Sequence, residues 1–349
     1  MEEFVKADEV RLWRYSLPLV EEVSLGKDRA ISVREGVIVE ALRDGRSYFG
    51  EAAPLPGFSR ETLPEALEQL RHLLATAPDL DLSTGSVFRG TLLPSVDFAV
   101  WSVLASMRGE PLSRVPLAGL LDGGQDAMVS GAVELSRRGY RALKLKVGRR
   151  GVSEDAGTVL RIAAATGDGT RLRLDANRAW SVSEAVEFAS LTESVSRRIE
   201  FVEEPLSGAR PASLGMLSEE VGMPVALDES LAGAEPGMLD GGAYSFVRAI
   251  VLKPQILGAA KSFAFARRAA LLGADVVVSA SYESGVGMLG LLRFAGECAA
   301  ENPPAAGLDT YRRLREDTLL KRLDLSGPTF DGAELPGPEL RIAALERLS

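Results

Sequence analysis

Apolar and polar positions alternate near the start of the chain, in Val10-Arg11-Leu12-Trp13-Arg14-Tyr15 and again over 31–40. Successive side chains of a strand point to opposite faces, so this period predicts half-buried strands. Asp44-Gly45 supplies a hairpin turn ahead of a third strand over 47–53. At 61–74 the period becomes helical, through Leu63, Leu67, Leu70 and Leu74. A second helix is expected near 94–108, with Val96, Val100, Val103 and Leu104 on one side. A short meander followed by helices predicts an α+β cap over residues 1–110.

Farther along, short apolar runs alternate with amphipathic helical windows such as 183–191 and 259–272. The runs fall at 115–121, 142–147, 172–176, 199–204, 225–228, 247–253, 275–281 and, weakly, 305–309. Eight strands alternating with helices over roughly 200 residues predict an α/β fold, a modified (β/α)8 TIM-type barrel. The barrel is placed at 111–310. Residues 311–349 give a thin signal for a last barrel helix and are expected to pack back on the cap.

Polar residues close one run after another: Lys146, Asp175, Glu203, Asp228, Lys253 and Ser279 or Ser281. The intervals are 29, 28, 25, 25 and then 26 or 28 residues, each the length of one βα unit. In such a barrel the C-terminal strand ends surround a single mouth, so these groups are expected to converge there. Any one alone reads as an ordinary strand-end polar group. The ordered series of amine, three carboxylates and amine does not.

Three carboxylates in one mouth repel each other unless a cation lies among them. All-oxygen donors point to a hard divalent ion, Mg2+ first, with Mn2+ possible. Two lysines then face each other across the ion, from the second and sixth strands. Burial and a cationic neighbour lower an amine's pKa, so one of them can serve as a neutral base. A base beside a divalent ion can remove a proton next to a carboxylate, which makes a small-molecule carboxylate the expected substrate.

Composition removes the competing chemistries. His72 is the only histidine and reads as a surface or boundary residue, which excludes Ser-His-Asp triads and histidine-rich metal sites. Cys298, the only cysteine, allows no internal disulfide and no cysteine metal cluster, and is expected in the core. The net charge of −9 argues against a nucleic-acid face. The acidic N-terminus lacks a signal-peptide core, and no apolar run approaches the ~20 residues of a membrane helix. A soluble cytoplasmic protein is expected, of unassigned oligomeric state. Of the 40 basic residues only seven are lysines, and Lys144, Lys146 and Lys253 lie in apolar segments. The Gly-x-Gly-x-x-Gly at 285–290 would suit a dinucleotide elsewhere. Here, at a seventh strand, its helix N-terminus is expected to bind a carboxylate.

Leu-Lys-Leu-Lys at 143–146, Asp-Ala-Asn-Arg-Ala-Trp at 175–180, Val-Glu-Glu-Pro at 202–205, Leu-Asp-Glu-Ser at 227–230 and Val-Leu-Lys-Pro at 251–254 together resemble the enolase superfamily. The segments at 50–59 and 307–310 are similar to its muconate-lactonizing-enzyme-like subgroup, and there to dehydratases of menaquinone biosynthesis. The resemblance implies Asp175, Glu203 and Asp228 as metal ligands, in preference to Glu204 and Glu229, whose side chains are expected on opposite strand faces. It implies Lys146 as the residue that removes and returns a proton, and Lys253 as a fixed cation beside the enolate. Lys144 would support both, and Asn177, Ser279, Ser281 and Gly285 would bind substrate. The implied reaction is syn elimination of water from 2-succinyl-6-hydroxy-2,4-cyclohexadiene-1-carboxylate. Racemisation of N-acylamino acids, or dipeptide epimerisation, is the alternative when both lysines act as bases. A barrel that binds without catalysis is a second alternative. A lid at 54–59 is expected over the mouth.

Overall fold

The computed structural model describes residues 6–26, 29–76, 92–109, 112–208, 210–299, 302–332 and 337–348. Strands β1 (Glu9–Gly26), β2 (Arg29–Arg43) and β3 (Arg46–Ala52) form an antiparallel meander. Asp44 and Gly45 turn between β2 and β3 with φ of 51° and 71°, values suited to the centre of a tight hairpin. β1 runs well beyond the alternating stretch. Its ladder shifts register after Pro18 and resumes at Val23, so the irregular segment is absorbed as a bulge. Helices α1 (Leu63–Thr76) and α2 (Pro94–Met107) follow. Val96, Val100 and Val103 of α2 pack with Val37 and Val39 of the sheet and Leu70 of α1. The expected boundary at 110/111 lies outside the described residues.

After the short β4 (Val115–Pro116), seven parallel strands pair in chain order: β5 (Gly119–Leu121), β6 (Ala142–Lys146), β7 (Arg171–Asp175), β8 (Ile199–Glu203), β9 (Val225–Leu227), β10 (Val247–Leu252) and β11 (Asp275–Val278). Between them run α3 (Gln125–Arg137), α4 (Val152–Ala165), α5 (Val182–Leu191), α6 (Pro211–Glu219), the single turns α7 (Glu229–Ala232) and α8 (Pro254–Leu257), and α9 (Ala259–Leu272). α10 (Gly285–Glu297) follows β11. Inside the barrel, Phe201, Ala226, Ala249, Val251 and Val277 form a small apolar core of their own. On α2, the Trp101 ring meets Phe263 of α9 and Phe294 of α10 edge-on, at 5.6 and 5.4 Å, which fastens the meander's helix to the barrel.

Two features depart from the pattern reading. The run at 115–121 is split into β4 and β5. The run at 305–309 is not a full strand: Ala306 bridges Leu117 and Gly307 bridges Ser279. Four backbone hydrogen bonds of 2.8–3.0 Å tie these two residues to both ends of the sheet, which suffices to close it. The chain then leaves as one 3-10 turn, Asp309–Arg313, in place of a barrel helix. Farther on, β12 (Thr329–Phe330) pairs with β4, and β13 (Leu345–Arg347) adds to the edge of β1, with Arg347 opposite Trp13.

A buried polar seam joins the meander to the barrel. Arg34 is 2% exposed and donates to the backbone carbonyls of Glu35, Ala53, Pro54 and Tyr282. Gln255 bridges Glu51 O at 2.7 Å and Ala53 N at 3.1 Å. The N-terminus of α10 is capped by the chain's own acids: Glu51 accepts from Ser284 N and Gly287 N, and Asp317 from Gly285 N at 2.7 Å. Carboxylates suit that position because free N–H groups and the helix dipole converge there. Burial, more than any other influence, pushes the neighbouring Glu283 carboxyl up to about 7, Arg34 only partly opposing it.

Candidate active site

Register places the chemistry. Lys146 lies opposite Asp175, and Asp175 opposite Glu203, at the ends of β6, β7 and β8. Residues in register on parallel strands share a face, so the three project into one mouth. Asp228 follows β9, Lys253 follows β10 and Ser279 follows β11. The sharp exits from these strands use left-handed backbone. Asn177, Arg178, Glu204 and Tyr282 have φ between 42° and 66°, and among the described residues the only other non-glycine in that region is Asp44. Such conformations gather where a site dictates the backbone.

The Lys144 ammonium lies 3.1 Å from Asp175 and 2.5 Å from Glu203, and Lys253 lies 2.5 Å from Asp228. Lys146 has a neutral partner, donating to Asn177 Oδ1 at 2.7 Å. Electrostatics separate the amines. Burial depresses Lys146, with Arg149, Lys144 and Lys253 adding to the effect and Asp175 opposing it. For Lys253 burial acts in the same direction, but Asp228 overrides it and holds the amine above its usual range. Lys144 is raised further still, because Asp175, Glu203 and Asp228 together outweigh its burial. Among the acids, burial pushes Glu203 up to about 7, Lys144 opposing and Asp175 and Asp228 adding. Two ammonium groups, Lys144 and Lys253, cannot balance three carboxylates.

Lys144, Lys146, Asp175 and Lys253 open on a cavity of about 620 Å³, lined also by Ser24, Leu25, Leu55, Phe58, Arg149, Asn177, Ser279, Ser281, Tyr282 and Thr310. Leu55 and Phe58 bring part of the 54–59 segment to the mouth. Asp228 faces an adjoining cavity of about 260 Å³ that shares Phe58, Glu229 and Lys253. Ser281 Oγ, Thr310 Oγ1 and Glu229 Oε2 are buried without hydrogen-bond partners among the described residues, and their side chains border the larger cavity. Buried polar atoms of this kind ask for a ligand. A separate cavity of about 580 Å³ lies between α3 and residues 308–326. On its wall Arg312 pairs with Asp122 and Asp309.

Three expectations need correction. Gly285 does not line the cavity. Asp317 takes its amide, so this helix N-terminus is occupied by the protein itself and is not open to a substrate carboxylate. Glu229 does face the cavity, since β9 ends at Leu227 and strand alternation does not extend to the α7 turn; it also accepts from Asn177. Cys298 is only partly buried, and burial pushes its thiol up to about 12. Glu204 behaves structurally: it accepts from Arg178, Ser230 and the Asp228 amide, fixing the turn after β9. His72 is exposed on α1. Thr310 and Arg149, which the sequence reading passed over, border the cavity; Thr310 lies within the 307–310 motif, but no chemistry singled it out.

Among the described residues, no three acidic, histidine or cysteine side chains already stand as a metal cage. The lysine ammonium groups lie among the carboxylates instead. The donor set still fits a hard divalent cation. Asp175, Glu203 and Asp228 are 1–6% exposed, offer only oxygen, and carry more negative charge than Lys144 and Lys253 balance.

The family model described as "Enolase C-terminal domain-like" matches residues 127–337, and "MenC, N-terminal domain" matches 7–107. With its barrel and strand-end acids, the chain is a member of the enolase superfamily. The o-succinylbenzoate synthase of Pasteurella multocida strain Pm70 is 34% identical over 307 residues, 86% of this chain and 88% of the relative. That of Edwardsiella ictaluri strain 93-146 is 35% identical over 318 residues, 88% and 92%. The chain belongs to the o-succinylbenzoate synthase family, hydro-lyases of the superfamily. Solved structures share its fold. The L-Ala-D/L-Glu epimerase of Bacillus subtilis has a TM-score of 0.79 at 22% identity, covering 96% of this chain and 98% of its own. The o-succinylbenzoate synthase of Thermosynechococcus elongatus BP-1, complexed with Mg in its active site, has a TM-score of 0.71 at 24% identity, covering 90% and 97%. No helix among the described residues is long and apolar enough to cross a membrane.

Proposed function

We propose that this chain dehydrates 2-succinyl-6-hydroxy-2,4-cyclohexadiene-1-carboxylate to o-succinylbenzoate, a step of menaquinone biosynthesis carried out in the cytoplasm. In this proposal the chain divides into a cap of residues 1–110 with 311–349, and a catalytic barrel of 111–310. Asp175, Glu203 and Asp228 would hold Mg2+, with Mn2+ as a substitute. Bound there, the ion would supply positive charge opposite the ring carboxylate, lowering the cost of the charge that proton loss develops.

Lys146 takes the proton from the carbon beside the ring carboxylate. It then returns that proton to the departing hydroxyl on the same face. Lys253, on the opposite side, keeps its proton and stands as a fixed cation near the developing enolate. Lys144 holds Asp175 and Glu203 in place, and Asn177 orients the Lys146 amine. Ser279, Ser281 and Thr310 border the space for the succinyl arm.

One observation carries the one-base reading over the two-base racemase: Lys253 is ion-paired to Asp228, whereas Lys146 has a neutral amide partner. A base needs a lone pair; a counter-cation needs a nearby acid. The diene's ultraviolet absorbance tests the proposal with wild type, Lys146→Ala and Lys253→Ala. Turnover is expected from wild type alone. Wild-type inertness on the diene, with rapid racemisation of an N-acylamino acid, would replace the dehydratase by the racemase.

A further inference from the structure

Five cationic side chains border the large cavity: Lys144, Lys146, Arg149, Arg178 and Lys253. Lys144 and Lys253 are engaged by the acids, and Arg178 by Glu204 at 3.0 Å. Lys146 binds Asn177 and, as the base, has to give up its charge. Arg149 is different. It is exposed at the rim and makes no hydrogen bond or ion pair with a described residue.

Its backbone, by contrast, is held firmly. Gly148 turns with φ 76°, and a Cβ there would come within 2.4 Å of that of Ala179. The Gly148 amide donates to the buried Asp155 at 2.6 Å, and Arg150 lies 3.4 Å from Glu154 and 3.9 Å from Asp155. A fixed loop therefore presents one uncommitted guanidinium, three residues beyond the base, to the cavity. A guanidinium stays charged at any working pH and matches a carboxylate with two parallel N–H groups.

We infer that Arg149 binds the second, distal carboxylate of the substrate. The inference rests on the proposed dehydration, whose substrate carries a ring carboxylate and a succinyl carboxylate. With the ring carboxylate directed to the acid and lysine cluster, the second negative charge needs a cation of its own, and Arg149 is the one left uncommitted. At the rim it also draws dianions toward the mouth.

Calorimetric titration of the Mg2+-loaded protein tests this with two probes: o-succinylbenzoate and its analogue with the succinyl carboxylate replaced by a carboxamide. Wild type is expected to prefer the dicarboxylate by about 10- to 100-fold, the effect of one charge-assisted pair. Arg149→Ala should lose that preference and bind the amide as wild type does. Added salt should weaken dicarboxylate binding more in wild type than in the variant. An Arg149→Ala protein that keeps the preference, or loses affinity equally for both probes, overturns the inference. Wild type that binds neither probe overturns the dehydratase reading itself, and this inference with it.

Discussion

The barrel mouth and the polar seam both bury several charged groups, yet they satisfy them in opposite ways. In the seam, Arg34 is met by four carbonyls and Glu51 by two amides and a hydroxyl. These backbone partners are fixed once the fold forms. In the mouth, Asp175, Glu203 and Asp228 are answered by lysine side chains instead of backbone groups. Burial alone therefore does not mark a site of chemistry. What distinguishes the mouth is like charges facing one another across open space, balanced by groups that can move.

The largest expected effect separates activity from stability. Lys146→Ala should lower kcat/KM by about 10^3-fold, in the range of general acid–base catalysis, while thermal unfolding stays close to wild type. Chelation should likewise abolish turnover, with Mg2+ restoring it, and Asp228→Asn should weaken Mg2+ binding sharply in a metal titration. An unfolding loss as large as the activity loss would erase the contrast between the two regions.

Arg34→Leu should do the reverse. Removing the seam's cation leaves Glu51 and Glu283 buried without it, a cost of about 3–5 kcal/mol in denaturant unfolding. Glu283 supplies a pH signature. Its folded pKa, about 7, lies above the ordinary 4.5. Its stabilising contribution is thus complete below pH 4.5 and is lost as pH rises through 7. The loss amounts to about 3 kcal/mol over that window, at about 1.4 kcal/mol per pH unit. Glu283→Gln should flatten that part of the stability profile. The smallest effect is expected from Thr318→Val, which removes one seam hydroxyl 2.7 Å from Ser284 Oγ. About 1 kcal/mol of stability should go, with kcat unchanged.

Much of this architecture was legible in the chain because burial imposes periodicity. Strands facing the core on one side alternate, and the barrel units repeat at 25–29 residues whatever their loops contain. The unread parts lacked such a signal. Two bridging residues at 306 and 307 close the sheet without needing an apolar run, and three-residue β13 is too short to show a period. Nothing local in the sequence marks Arg34 as buried, since the carbonyls that surround it come from residues as distant as Tyr282. Glu229 was misplaced by carrying strand alternation past the strand's last residue. In the mouth, by contrast, rare lysines and spaced acids announced themselves through their chemistry.

The pairing of β13 with β1 gives the chain an order of assembly. β1 pairs with β2, its neighbour in the chain, but Arg347 can reach Trp13 only once every barrel strand lying between them has been made. Contacts so far apart in sequence are slow to form. Until then the outer edge of β1 offers unpaired backbone groups to any other strand. β13 closes that edge over Trp13, Arg14 and Tyr15, so a chain still lacking β13 leaves the backbone groups of these three residues open to a foreign strand.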